Sequence, residues 1–215
     1  MATFLKGING AYSGKVGNVV GSRWREVDYV RSLPRPSSKP ATEAQLNQRA
    51  RFALAVAFLS PIKDLLNLGF SDSEQASATG YNVALSHLLR NGMTGDYPVV
   101  EIDYTRVRIS RGSLGAPVGL TIAETRPGEA TVSWQPIINT FNAFADDAAV
   151  VLVYNTSKAF FSVYENAVRE DGILTFTLPV GFSGDVLETW VFMGHRDGLR
   201  TSNSVYAGQL TVTAA

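Results

Sequence analysis

The first forty residues alternate apolar and polar side chains and contain several glycines, a pattern typical of β-strands with bulges or close backbone approaches. Residues 15–31 are expected to form a hairpin or one long bent strand. In the continuous reading, one strand face carries Trp24, Glu26, Asp28 and Val30, and the other carries Arg23, Arg25, Val27, Tyr29 and Arg31. Prolines between residues 32 and 41 then predict an extended connector.

A helical period follows this connector. Thr42 and Gln45 form a capping box, and the apolar spacing behind it predicts a helix over residues 42–59. Pro61 can open a second, short helix through Leu68. A further capping box at residues 71–74 predicts a second long helix over 73–90, and alternation over 97–110 predicts one or two strands.

From residue 118 onward the pattern changes to short alternating segments separated by turn residues. The expected strands cover residues 119–125, 130–135, 148–155, 159–166, 173–178, 186–195 and 204–213. This spacing predicts a seven-stranded antiparallel β-sandwich over residues 115–215. The fold class is therefore α+β. A mixed N-terminal domain over residues 1–114, with a Gly-rich β arm over 1–40, precedes the sandwich.

Parts of this sandwich resemble a known family. The segments Ala130–Trp134, Glu188–Phe192 and Asn203–Tyr206 resemble fibronectin type III and other immunoglobulin-like domains over about the last 100 residues. The resemblance implies a two-sheet sandwich with Trp134 and Trp190 in its core.

The N-terminal half carries a second resemblance. Its motifs are Gly14-Lys15-Val16-Gly17, Trp24, Tyr29-Val30-Arg31, Thr42-x-x-Gln45-x-x-x-Arg49-x-x-Phe52 and the segment from Arg108 to Leu114. Together they resemble a family of uncharacterised Gram-negative bacterial proteins that also carry a sandwich-like tail. The Thr-x-x-Gln-x-x-x-Arg-x-x-Phe part is similar to segments of phage-related proteins. Neither resemblance implies an activity.

Composition excludes several classes of protein. Apolar residues make up 45% of the 215 residues and the net charge is zero, which argues against a disordered chain. The absence of cysteine excludes disulfides and cysteine-ligated metals. No continuous apolar run reaches a membrane span, and the N-terminus lacks a signal-peptide core. We therefore expect no membrane span and a cytoplasmic location by default, with extracellular or virion-associated locations left open.

The zero net charge hides an asymmetry. Residues 1–114 hold 14 Lys/Arg and 9 Asp/Glu, whereas residues 115–215 hold 5 Lys/Arg and 10 Asp/Glu, giving +5 and −5. Complementary halves favour head-to-tail association of identical chains. Packing between the two domains of one chain is the other explanation.

Catalytic patterns are missing. The two histidines, His87 and His195, have no nucleophile elbow with which to form a catalytic triad. The sequence also contains no phosphate loop and no other cofactor or metal pattern. We therefore expect a protein that is not an enzyme and that binds no cofactor.

The most suggestive cluster is basic and aromatic: Lys15, Arg23, Trp24, Arg25, Tyr29, Arg31 and Arg35. Such a cluster suits an acidic protein surface, an internal ion-pair network or nucleic acid. Glu26 and Asp28 in the same segment argue against nucleic acid.

Three functional hypotheses follow. The first is a structural, self-assembling subunit of a filament, surface appendage or virion-like particle, whose own copies are its partners and whose arm adds a strand to a neighbour. The second is a binding module whose sandwich loops at Asp146, Asp147 and Asp197 recognise glycan or protein. The third is nucleic-acid binding through the basic arm.

Overall fold

The chain divides into two units, Met1–Thr42 and Glu43–Ala215, in a computed structural model. The structure describes residues 2–3, 12–24, 27–35, 39–72 and 78–213. The division differs from the boundary expected near residue 114. Its physical reason is that the helices after residue 42 share a hydrophobic core with the sandwich, so they belong to the same unit.

The first unit is an antiparallel four-stranded sheet with the order β1-β4-β3-β2. Its strands are β1 (Ala2–Thr3), β2 (Gly14–Val16), β3 (Val19–Trp24) and β4 (Val27–Ser32). Gly17, in the two-residue turn between β2 and β3, has φ +59°, a left-handed conformation that favours glycine. Trp24 pairs with Val27 and Ser22 pairs with Tyr29, so residues 22–24 and 27–31 lie in two antiparallel strands and the hairpin alternative is the one observed.

Three helices open the second unit: α1 (Glu43–Leu59), α2 (Lys63–Gly69) and α3 (Gly80–Asn91). The first agrees with the predicted helix over 42–59. The third begins at Gly80 instead of residue 73, because the Thr79 side chain accepts a hydrogen bond from the Asn82 amide and caps the helix there. Asp72, from the predicted capping box, instead accepts hydrogen bonds from Ser113, and residues 73–77 of the predicted helix lie outside the described residues.

The described part of the second unit contains nine strands, which form a hairpin and two larger sheets. The hairpin pairs β5 (Met93–Asp96) with β6 (Val99–Ile102). The remaining strands are β7 (Val118–Arg126), β8 (Glu129–Gln135), β9 (Ala148–Asn155), β10 (Phe160–Val168), β11 (Ile173–Thr177), β12 (Val186–Gly194) and β13 (Val205–Thr211). Their ends lie within two residues of the expected ones. The predicted strand region over 97–110 gives only β6, and Val107–Arg111 is extended and hydrogen-bonded to other segments without belonging to a named strand.

The second unit has three layers. A sheet of order β10-β9-β12-β13 packs one face on the sheet β11-β8-β7, around a core that includes Val132, Val151 and Val191. Its other face packs on the helices, around a core that includes Phe58 and Trp190. The helices thus cover the outer face of the sandwich, although the expected domain boundary near residue 114 placed them in a separate domain. The mixed α+β class is confirmed.

One stretch of the described chain, Glu43–Gly69, is long and apolar enough to cross a membrane by length and composition, with a mean hydropathy of 1.4 over its most apolar window. One third of that window is buried in the structure. The stretch comprises α1, a short 3-10 turn and α2, and its inner side chains Phe58, Leu59 and Leu66 belong to the core beneath the helices. The expectation of no membrane span therefore stays a prediction.

Candidate assembly and recognition surfaces

The sheet of the first unit places four of the candidate residues on one face. Residues directly opposite each other in an antiparallel pair point to the same side, and Trp24 pairs with Val27 while Tyr29 pairs with Ser22. Val20 pairs with Arg31 on one side and with Lys15 on the other. Since residues 20, 22 and 24 of β3 share a face, this face carries two aromatic and two basic side chains. We call it the arm face: Lys15, Trp24, Tyr29 and Arg31.

The continuous-strand reading grouped these residues wrongly. It placed Trp24 with Asp28 and Val30, opposite Tyr29 and Arg31. Because Trp24 and Val27 are opposite partners in the antiparallel pairing of β3 with β4, even-numbered residues of β3 share a face with odd-numbered residues of β4. Arg23 consequently lies on the other face, where its guanidinium is 3.9 Å from the Asp28 carboxylate.

The remaining two basic candidates are not placed on the arm face. Arg35 is exposed beyond the end of β4. Arg25 lies outside the described residues.

Few of the described residues of the first unit are buried. Gly21 is the only buried residue among those of residues 12–24, 27–35 and 39–42. Three large apolar side chains stay about half exposed: Val16 at 57%, Trp24 at 54% and Val27 at 46%. A sheet becomes independently stable when it buries a hydrophobic face, and the described part of this sheet buries very little.

The positive charge of the chain is concentrated in this unit. Residues 1–42 hold seven Lys/Arg and two Asp/Glu, a net charge of +5. Residues 43–114 hold seven of each and are neutral, so the sandwich region over 115–215 carries the compensating −5. The asymmetry of the sequence is therefore one between the arm and the sandwich.

An acidic edge is present on the sandwich. Strand β10 is the terminal strand of its sheet and pairs only with β9, through a register that shifts between Tyr164 and Ala167. Exposed carboxylates of Glu165, Glu170 and Asp171 lie within or just after this strand, and none forms an ion pair with a described residue. Negative charge on an open edge repels another acidic edge but suits a basic strand.

The loop candidates Asp146 and Asp197 lie at one end of the sandwich and are held in ion pairs. Asp146 lies 2.8 Å from the Arg196 guanidinium. Asp197 contacts His195 Nδ1 at 2.9 Å and Arg200 at 3.5 Å. Hydrogen bonds, first of all from the Leu199 backbone N–H, hold the pKa of Asp197 below its ordinary value. Both carboxylates tie loops together as well as facing solvent.

Asp147 does not face a ligand. It is fully buried, and its Oδ2 accepts hydrogen bonds from Arg169 Nε at 3.0 Å and from the Phe144 backbone N–H at 2.9 Å. Arg169 is also buried, and its guanidinium donates to the Gly115 carbonyl. Asp147 is therefore part of the scaffold that fixes the loop, which removes it from the recognition candidates.

Sequence reasoning missed the apolar side chains at this end of the sandwich. Phe141 is 86% exposed and Leu199 is 68% exposed, and Ile137 and Ile138 are each about half exposed. They lie in the two loops that the contact of Asp146 with Arg196 joins. A signal was available for three of them, because Ile137, Ile138 and Phe141 lie in the loop between β8 and β9, and loop residues are on average more exposed than strand residues.

No group of three or more His, Asp or Glu side chains that could hold a metal ion occurs in the part of the chain that the structure describes.

Comparison with known proteins gives a family and a set of structural likenesses. The sequence model of a family of unknown function (DUF6266) matches residues 11–208. No curated protein matches the chain.

Solved structures that resemble about half of this chain include fibronectin type III domains. The fn3 domain of human collagen alpha-1(XX) chain is 15% identical with a TM-score of 0.38, over 49% of this chain and 93% of that one. The fn3 domain of human contactin 1 is 9% identical with a TM-score of 0.34, over 49% and 83%. The FN5 domain of Drosophila Lar is 12% identical with a TM-score of 0.34, over 48% and 100%.

Proposed function

Because the chain belongs to the family of unknown function DUF6266, which brings no activity with it, we propose a role from geometry and charge: a non-enzymatic subunit that assembles with copies of itself. The basic arm sheet of residues 1–42 docks on the acidic edge strand β10 of a neighbouring copy. The observation that carries this proposal is the arm itself, a sheet with +5 net charge whose described residues bury only Gly21.

Docking buries apolar surface that the arm leaves exposed in a single copy. Trp24 exposes 54% of its surface, and a buried tryptophan covers up to about 250 Å². Burying the exposed part of Trp24 at about 25 cal/mol per Å² contributes roughly 3 kcal/mol of association free energy. This corresponds to about a 100-fold change in the association constant. The charge difference between arm and edge steers the encounter and makes it salt-sensitive.

Light scattering across protein concentration and salt, with negative-stain microscopy of the same samples, tests the proposal. We expect particles or fibres at low salt that dissociate as salt rises. Trp24→Ser should weaken association by about 100-fold. Val180→Ser, at an exposed residue of the sandwich, is the matched control and should leave association unchanged.

Glu165→Lys tests the other side of the contact. Reversing the charge on β10 should weaken association and reduce its salt dependence. A wild-type chain that stays a 23.2 kDa monomer at every concentration and salt would overturn the assembly proposal.

A binding module is the second candidate, favoured by the exposed Phe141 and Leu199 at the loop end of the sandwich. It predicts a monomer that binds glycan or protein through these loops. A glycan array with the wild type and with Phe141→Ser separates the candidates, because an assembly subunit should bind no sugar and should assemble unchanged after the loop substitution.

Nucleic acid competes for the arm face, because Trp24 and Tyr29 could stack on bases while Lys15 and Arg31 contact phosphates. Fluorescence anisotropy with a single-stranded oligonucleotide distinguishes this outcome. Nucleic-acid binding predicts an affinity that falls steeply with salt, whereas the assembly proposal predicts no saturable binding.

A further inference from the structure

A basic depression lies between helix α3 and the extended segment Val107–Arg111, on the second unit. Its volume is about 320 Å³, the lower end of the range for small-molecule sites. The polar side chains that line it include Asn82, Ser86, His87, Arg90, Arg108 and Arg111.

Helical spacing brings one wall together. Asn82, Ser86 and Arg90 follow one another at intervals of four residues, and His87 lies beside them, so all four share one face of α3. Phe70 and Val83 add apolar surface at the same depression.

The opposite wall is a fixed strip of backbone. Val107 and Ile109 are buried, whereas Arg108 and Arg111 are exposed. The Ile109 amide donates to Ser204 Oγ at 2.9 Å, and the Arg111 amide donates to the Gly69 carbonyl at 2.9 Å. Hydrogen bonds therefore fix the backbone that carries Arg108 and Arg111 on both sides. The side chains of these two arginines form no hydrogen bond with a described residue.

Within the described part of the chain, the positive charge of the depression has no acidic counterpart. No ion pair joins Arg90, Arg108 or Arg111 to a carboxylate in the described part of the chain, and no described acidic residue lines the depression. Burial, together with the nearby charges of Arg108 and Arg111, lowers the pKa of His87. The Nδ1 atom of His87 is buried and has no hydrogen-bond partner among the residues that the structure describes.

We propose that this depression binds the phosphate group of a small molecule, with Arg108 and Arg111 on one side and Arg90 on the other. Guanidinium groups match phosphate oxygens in pairs, and Asn82 and Ser86 can donate further hydrogen bonds. A phosphate dianion neutralises most of the three charges, whereas a single carboxylate would leave two. The proposal stands apart from the assembly surfaces, which use the arm and strand β10.

Phosphate binding should be linked to the protonation of His87. The charged or titratable groups around this imidazole are Arg90 on its own helix, Arg108 and Arg111 on the opposite wall, and Arg106 and Tyr206 at the adjoining hollow. An anion between the arginines offsets the repulsion that disfavours the imidazolium, so the pKa of His87 should rise when phosphate binds.

NMR titration of the two histidines with inorganic phosphate at constant ionic strength tests the site, with His87→Gln to assign the signals. We expect a saturable rise in the pKa of His87 and no change at His195. Arg108→Gln and Arg111→Gln should each weaken phosphate binding by about tenfold or more. Arg126→Gln removes the same charge from an exposed arginine on β7 and should change the affinity less than about twofold.

Three further titrations identify the ligand class. Glycerol phosphate and adenosine monophosphate should bind at least as tightly as inorganic phosphate if the natural ligand carries a phosphate ester. Acetate at the same concentrations should produce a much smaller shift. An equal effect of acetate, an equal loss in Arg126→Gln, or no saturable response of His87 to phosphate would each overturn the proposal.

Discussion

The two neighbouring pairs Arg169–Asp147 and Arg196–Asp146 join the same residue types with very different surroundings. Arg169 and Asp147 are 2% and 0% exposed, whereas Arg196 and Asp146 are 74% and 49% exposed. The exposed pair has the shorter separation, 2.8 Å against 3.0 Å. If distance set the contribution to stability, the exposed pair would matter more.

Burial reverses that order. Arg169→Met leaves the Asp147 carboxylate in the interior with the Phe144 amide as its remaining partner, and its Oδ1 already has no hydrogen-bond partner. Leaving one charge of a buried pair uncompensated costs about 3–5 kcal/mol. Arg196→Met removes a solvated pair worth about 0–1 kcal/mol.

Urea and thermal unfolding followed by tryptophan fluorescence would measure both. For a unit of this size each kcal/mol lowers the Tm by about 2–4 °C, so Arg169→Met should lower it by about 6–20 °C. Arg196→Met should lower it by less than about 4 °C.

A double variant separates the lost charge from lost packing. In Arg169→Met/Asp147→Asn the asparagine still accepts from the Phe144 amide but carries no charge, so about 2 kcal/mol or more should be recovered. The reasoning fails if Arg169→Met costs no more than Arg196→Met, or if the double variant recovers nothing.

Two further predictions concern the core beneath the helices. Burial, together with the nearby Tyr154, Glu188 and Glu101, raises the pKa of Tyr104 to about 12. The contribution of Tyr104 to stability is therefore present below pH ~10 and is lost as the pH rises towards 12. The urea midpoint should fall over that range, less steeply in Tyr104→Phe, and an equal fall in both proteins would contradict the assignment. The full chain should unfold cooperatively on heating, as measured by circular dichroism, whereas a fragment of residues 115–215 should not. The reason is that removing the helices exposes an apolar face of the sheet. A fragment that unfolds cooperatively would contradict the shared core.

Local structure was largely predictable from the sequence because local signals determine it. The capping pattern from Thr42 and the apolar spacing behind it fix α1. Turn residues between short alternating runs fix the strands from β7 to β13. The start of α3 was mispredicted because two capping patterns compete there, and Asp72 is used by Ser113 across the fold. Such a long-range partner leaves no local trace.

The arrangement of layers was missed although the sequence contains its signal. A strand at the outer face of a two-layer sandwich alternates, but Ala148–Tyr154 and Leu187–Met193 are nearly continuous apolar runs. Both strands are buried on both faces, since alternate residues enter the two cores. The runs predict a third layer, and the preceding helices are the part of the chain able to provide it.

The candidate sites were predicted unevenly, for a related reason. Whether a side chain can contact a partner depends on the face of the strand or loop that it occupies. A shift of one residue along an extended segment moves a side chain from one face to the other. Asp146 and Asp147 are adjacent, yet one is exposed and the other is buried with Arg169. In the arm, the register of β3 against β4 places Trp24 on the face of Tyr29 and Arg31. Residue type identified the clusters, but register decides their membership.

These corrections make the arm more distinct from the rest of the chain. Once the helices join the sandwich, residues 43–114 are electrically neutral and the entire positive excess lies within residues 1–42. Those residues also have the least burial, whereas the second unit has two hydrophobic cores. A sheet of that kind gains stability from surface that it covers on docking. The acidic edge of β10 has the charge that the proposed docking requires, so substitutions at Trp24 and Glu165 test the two sides of that proposed contact.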